Sequence, residues 1–508
     1  MTTRGKSTII IVSFIKGGYH HEKLRNTHAY HQPSPYGIGT FGAEAERFAD
    51  WLRSAGQKYW QVLPIGPTGY GDSPYQPFSS FAGDPLLIDL DELAENGYLA
   101  RSSVTEADYG ADPTFVDYDK IRGVKMALLK EAFAGFTDDV GYTSFVMDEG
   151  DWLDDYALFA ALKERFGNRP WTEWEESIKL RKPEAVKQYT DELQNEIKFH
   201  KFVQYIFWRQ WDRFHRYCNK NGIQVIGDIP IYVSPDCADV WAHPELFELD
   251  ERLNPRRVAG VPPDLFSSTG QLWGNPLYNW EEMHRTGYKW WLQRIGKSKE
   301  NYDMLRIDHF RAFDTYYAIP FGHKTAENGV WEKGPGMELF NAIRNDLGDV
   351  NIIAEDLGDI FDSVRELLRN TGFPGMRVLQ FGFNPENKDN EHLPHNYPVN
   401  CCAYTGTHDN MPVMQWYREA DRESRAMAKR YLHTGLFEKF SSSCIRAVYA
   451  SPAQLAVIPM QDILGLGKES RMNVPSTVGG NWRWRMLPGK TTDKLAAKLR
   501  ELAETYFR

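Results

Sequence analysis

The sequence predicts an α/β fold: a (β/α)8 TIM barrel with inserted helical subdomains. Three observations carry that prediction. Short apolar segments that read as strands recur along the chain with helical patterns between them, the signature of parallel β/α units. Counting an N-terminal apolar run, these strands number about eight, enough to close a barrel. Finally, Asp228, Asp308, Glu355 and Asp409 each fall at the end of such a segment, where barrels of this kind hold their chemistry.

The elements follow in order. Ser7-Thr8-Ile9-Ile10-Ile11-Val12-Ser13-Phe14-Ile15 is apolar, far too short to span a bilayer, and followed by no small-residue cleavage site. His20, His21, His28 and His31 then sit on no recognisable element. From Ala43 to Ala55 the spacing of Phe48, Trp51, Leu52 and Ala55 predicts a helix, with Gly56 as its stop. Tyr59-Trp60-Gln61-Val62-Leu63-Pro64 reads as a buried strand. It opens into residues 66–76, whose prolines and glycines fix a shaped loop and whose aromatics and hydroxyls suit a ligand edge. Residues 89–219 are mostly helical and read as an insertion. Within it Phe202, Tyr205 and Ile206 keep helical spacing and read as core.

Further strands are expected at 223–230, 305–308, 349–358, 375–381, 400–404 and 454–459, and loops at 261–266 and 271–276. In Leu305-Arg306-Ile307-Asp308, residues two apart share a face, so Arg306 and Asp308 project together. A carboxylate beside a fixed cation stays ionised, which is the state a nucleophile needs. Read alone, the pair is more simply an ion pair closing a loop.

Composition narrows the partners. The chain has 508 residues, 42% hydrophobic and 25% charged, with a net charge of −10 and no basic stripe, which argues against nucleic acid and anionic membranes. Cys218, Cys237, Cys401, Cys402 and Cys444 are odd in number and lack metal-ligand spacing, so they read as free thiols in a reducing cytoplasm. Aromatics reach 14%, with 16 tryptophans; such faces stack on sugar rings, although large cores use them too.

Gathered carboxylates suit a metal site or glycosyl chemistry. A metal site calls for several acids with histidines in ligand spacing, whereas His408 and Asp409 share one strand end and Arg306 repels a cation beside Asp308. The reading therefore carries no metal and no cofactor. Retaining glycosyl transfer needs an ionised nucleophile and a protonated acid. Asp308 suits the first. Glu355, after an apolar run and near Asp308, suits the second, because burial and a like charge raise a carboxyl's pKa. Asp409 and His408 are left for the sugar hydroxyls and the cationic transition state. Each acid taken singly is more simply a loop cap or surface carboxylate.

With these residues in place the sequence resembles the amylomaltase family of 4-α-glucanotransferases, from about Pro33 to the C-terminus. The matching blocks are 60–64, 66–76, Gly227-Asp228-Ile229-Pro230, Arg306-Ile307-Asp308-His309-Phe310-Arg311, Ala354-Glu355-Asp356-Leu357-Gly358, 405–410, 471–475 and 480–482. The resemblance implies a cofactor-free barrel enzyme moving glucan segments between α-1,4 donors and acceptors (malto-oligosaccharides and glucose). It implies Asp308 as nucleophile, Glu355 as acid/base and Asp409 as transition-state stabiliser. Tyr75, Asp228, Arg306 and His408 match donor-sugar positions. The stretch 262–275, with Pro263, Asp264, Gln271, Trp273 and Asn275, matches an acceptor-side loop. An α-glucan hydrolase using the same acids, or an inactive glucan-binding protein, are the alternatives.

Three departures stand out. Ala312 replaces a usual glycine, and Met411-Pro412-Val413 replaces a polar run, an expected loosening behind Asp409. The third is the absence of the family's first-strand pattern. Codons allowed for residues 28–33, read one nucleotide later, give Met-His-Ile-Thr-Ser-Leu, which matches it. Residues 1–33 are therefore expected to be an out-of-frame translation, with 34–508 forming the catalytic barrel. Taken as it stands, the first barrel strand is expected to be damaged.

Overall fold

The computed structural model describes residues 7–11, 36–263 and 267–508. Its strands are β1 (Ser7–Ile11), β2 (Tyr59–Gln61), β3 (Gln224–Pro230), β4 (Arg257–Val261), β5 (Gln271–Pro276), β6 (Met304–Asp308), β7 (Thr315–Pro320), β8 (Val330–Lys333), β9 (Ile352–Ala354), β10 (Gly375–Val378), β11 (Cys401–Tyr404) and β12 (Leu455–Pro459). Eight of them close a barrel in the order β1-β2-β3-β6-β9-β10-β11-β12, every pair parallel. The barrel expected from the strand count is the barrel found.

Alternation along the strands sorts inside from outside. Cys402 and Tyr404 join Met376, Val378, Leu455 and Val457 in one cluster, while Cys401 and Ala403 join Ala456, Ile458 and the helical residues Val448 and Phe440 in another. A period of two sends adjacent side chains to opposite faces of a strand. The neighbouring Cys401 and Cys402 are thus parted, and all five cysteines are buried free thiols.

The backbone of Ser7–Ile11 pairs with β12 from Ser7–Leu455 to Ile11–Pro459, and with β2 from Ile9–Tyr59 to Ile11–Gln61. The expected damage to the first strand therefore does not leave the barrel open. Residues 12–35, including the four histidines, lie outside the described residues.

The helix expected near residue 43 runs Ala43–Ser54. It buries Phe48, Trp51 and Leu52 and ends ahead of Gly56, whose φ of 71° is readily adopted by glycine. Between β2 and β3 lie helices from Leu90–Glu95 to Gln194–Lys220. The last has 27 residues, and its Phe202, Tyr205 and Ile206 are buried in the cluster that holds Trp51 and Trp60, as core rather than ligand contacts.

One element was not legible in the sequence. β5-β4-β7-β8 form a separate antiparallel sheet inserted after β3 and after β6. The stretch 271–276, expected as a loop, is strand β5. Gly274 and Pro276 disguise it, and only pairing with β4 supplies its partner. Among the described residues no helix is long and apolar enough to cross a membrane.

Candidate active site

Strand register assembles the acids. β3 and β6 place Asp228 opposite Arg306, and Pro230 opposite Asp308. β6 and β9 place Ile307 opposite Ala354. Asp308 and Glu355 are each one residue further on, at adjoining strand ends.

Arg306 is the electrostatic centre. Its guanidinium is 4% exposed; Nη1 donates to both oxygens of Asp228 at 2.8 and 2.7 Å, and Nη2 donates to Asp308 Oδ1 at 2.7 Å. The shared face expected from two-residue spacing is thus realised. Asp228 also accepts the Tyr75 hydroxyl at 2.9 Å. Burial pushes its carboxyl up to about 6, against the downward pull of Arg306. Asp228 and Arg306 are almost wholly buried beneath the cleft surface.

Glu355 sits in a different environment. Oε2 accepts the His309 N–H at 2.7 Å and Oε1 the Leu357 N–H at 2.9 Å. His309 has left-handed backbone (φ 54°, ψ 46°), an uncommon state for a non-glycine residue, in the turn that brings its N–H to Glu355. Burial first, then the charge of Asp308, pushes Glu355 up to about 8, against Arg306 and the two backbone donors. Burial also holds the His309 imidazole down at about 4, so it is neutral near pH 7.

Asp409 is nearly half exposed. Its Oδ1 accepts Asn473 Nδ2 at 2.6 Å and lies 3.4 Å from His408 Nε2, and its carbonyl accepts from Arg471 at 3.3 Å. The His408 ring stacks on Tyr75 at 4.9 Å between centroids, with Trp482 5.5 Å away.

Of these groups Tyr75, Asp308, His309, His408 and Asp409 line a cleft of about 560 Å³ together with Trp273 and Trp482, whereas Glu355, Arg306 and Asp228 are buried and are not among its lining residues. That volume is in the range of small-molecule sites. On the other wall, Gln271 accepts from Trp273 Nε1 at 3.2 Å, and the Trp273 ring meets His309 edge-on at 4.8 Å. Asn275 lines the cleft, yet its amide is spent on Val233 O at 2.7 Å and on Gln76. Pro263 is exposed and does not line this cleft; Asp264 lies outside the described residues. Among the described residues no group of three or more His, Cys, Asp and Glu side chains is placed to hold a metal ion.

At Met411-Pro412-Val413, where loosening is expected, a small void remains beside Met411 and Pro412, but hydrogen bonds hold the segment on either side. Met411 O accepts Gln380 Nε2 at 2.7 Å, the Val413 N–H donates to Asp462 at 2.8 Å, and Val413 is fully buried. Ala312 is buried in a short 3-10 turn. The chemical reading of the sequence passed over Arg471, Asn473, Trp482 and the His309 backbone. The first three fall in the blocks quoted for the resemblance, but no local pattern ties residue 473 to residue 409.

A parallel barrel with paired carboxylates of opposed environment and an aromatic-walled cleft defines a glycan-active enzyme. The comparisons then fix which kind. A family model described as 4-alpha-glucanotransferase matches residues 27–491. The 4-alpha-glucanotransferase of Clostridium butyricum is 47% identical over 480 residues, covering 94% of this chain and 98% of its own. That of Thermus thermophilus is 46% identical over 489 residues, covering 94% and 97%. Among solved structures, the amylomaltase of Streptococcus agalactiae in complex with acarbose superposes with a TM-score of 0.94 at 40% identity, covering 99% of both chains. The chain belongs to the 4-alpha-glucanotransferase family. It is a glycosyl-transferring enzyme.

Proposed function

We propose that this enzyme moves α-1,4-glucan segments between malto-oligosaccharides by a retaining double displacement, with Asp308, Glu355 and Asp409 as its working acids. The Asp308 carboxylate attacks the anomeric carbon while Glu355 gives its proton to the departing glycosidic oxygen, leaving a glucosyl ester on Asp308. Glu355, now a carboxylate, takes the proton of the acceptor hydroxyl. That oxygen attacks the same carbon and the ester bond to Asp308 breaks. Asp409 and His408 hold the sugar hydroxyls as the ring becomes cationic. Tyr75, Asp228 and Arg306 form the donor-sugar end, and Gln271 and Trp273 the acceptor side. The observation that carries this is the contrast between neighbours: Asp308 is ion-paired to Arg306, whereas Glu355 is lifted to about 8.

Maltotriose distinguishes transfer from hydrolysis. Glucose together with oligosaccharides longer than the substrate is the expected product set; glucose and maltose alone would mark a hydrolase. The pH profile follows from Glu355. The first step needs its proton, and a raised pKa keeps the proton on at neutrality. As pH rises through about 8, kcat/KM for maltotriose should fall, approaching tenfold per unit. A profile flat to pH 10 would remove Glu355 as the acid.

A cytoplasmic setting suits five buried thiols with no disulfide among them. We also propose that residues 1–33 are an out-of-frame translation of a chain whose native first strand reads Met-His-Ile-Thr-Ser-Leu. The family match leaves residues 1–26 outside it but takes in 27–33. Sequencing the encoding DNA tests it: codons that cannot give this reading would end the proposal.

A further inference from the structure

We propose that Asp462 is a positioning residue for Asp409, one buried carboxylate that pins both ends of the loop carrying His408 and Asp409. The inference rests on the reading of Asp409 given above. β11 ends at Tyr404, and the loop runs from Thr405 to Val413, the first residue of the helix Val413–Glu419. Thr405 Oγ1 donates to Asp462 Oδ2 at 2.6 Å, and the Val413 N–H donates to Asp462 Oδ1 at 2.8 Å. Asp462 is 1% exposed, in the short helix Met460–Leu464 that follows β12, the barrel neighbour of β11.

A carboxylate buried this deeply is costly unless paired or hydrogen-bonded. Among the described residues no Lys, Arg or His forms an ion pair with Asp462. Its two hydrogen bonds are spent on the two ends of the loop. Between those ends the packing is incomplete. A void of about 20 Å³, lined by Thr407, His408, Asn410, Met411 and Asp462 among others, lies against the loop. It has room for about one water. Inside the loop, Asn410 Oδ1 accepts the Thr407 N–H at 2.8 Å, and Gln380 holds Met411 O. The Asn410 bond shapes the loop, while Gln380 to Met411 O, the Asn473 N–H to His408 O and the two bonds to Asp462 tie it to the barrel, those to Asp462 at its two ends.

Acarbose, measured by calorimetry on full-length variants, separates positioning from stability without requiring turnover. Asp409→Asn should weaken acarbose by about 10- to 100-fold, as expected for a lost charged hydrogen-bond partner. Asp462→Ala should weaken it by a similar factor when Asp409 is present, yet by a several-fold smaller factor in the Asp409→Asn background, where only its effect through His408 remains. The fall in Tm from Asp462→Ala should be the same in both backgrounds. Asp462→Asn should bind within about threefold of the parent, since its oxygen can accept from Val413 and its amide can donate to a rotated Thr405 hydroxyl. Wild-type affinity in Asp462→Ala, or equal losses in both backgrounds, would overturn the proposal. Should Asp462→Ala not fold, Thr405→Val removes one pin alone and must show the same background dependence. If Asp409→Asn itself binds acarbose normally, the fault lies in the reading of Asp409.

Discussion

Asp308→Ala should reduce maltotriose turnover by roughly 10⁴- to 10⁶-fold, the scale on which loss of a covalent nucleophile is felt. The substitution removes the atom that accepts the sugar, so no ester can form. Little else moves. Arg306 keeps both bonds to Asp228, so its charge remains paired. Asp308 lies on the cleft surface rather than in the core, and its removal leaves no sealed cavity. Binding of malto-oligosaccharides should therefore survive while turnover is lost. Calorimetric titration with maltotriose beside a product assay checks both halves, and unchanged activity would sink the assignment of Asp308. A second sign should accompany it: the charge of Asp308 helps to raise Glu355, so the Glu355 pKa should fall in this variant.

Glu355→Gln should cost about 10²- to 10⁴-fold with maltotriose, the usual span for a lost general acid and base. Because the native carboxyl titrates near 8, glutamine keeps the net charge that position carries at neutral pH. The fold should tolerate it. The loss should depend on the leaving group. An α-maltosyl fluoride needs no proton to depart, so its first step should be largely spared and the Asp308 ester should accumulate. Azide, which needs no base, should then capture the glycosyl group as the α-azide and restore turnover. Failure of azide to do so would contradict the acid/base role.

Much of this was legible in order along the chain. The eight barrel strands correspond to the eight apolar segments, because a strand buried on both faces needs a continuous apolar run whatever its partner. Arg306 and Asp308 were legible as a pair because a period of two is local geometry. Strand β5 was not, since its pairing energy comes from β4, and Asn473 was not, since its bond to Asp409 spans 64 residues. Pro263 shows the opposite limit. A matched position carries a residue's type but not its placement, and Pro263 is exposed and not among the residues that line the cleft.

The sequence by itself determined the barrel, the order of its acids along the chain and the fixed cation beside the first of them. Each depends on neighbours within a few residues or on the apolar period of a segment. Only the tertiary structure decided which acid holds its proton. Glu355 is raised by burial and by Asp308 across the β6–β9 register, and both effects need these two strands, with Ile307 opposite Ala354, to lie side by side. It also decided that Asp462, an acid just after the last strand, grips both ends of the Asp409 loop. Charge and burial act through space, and their sum at one carboxyl exists only once the barrel has closed.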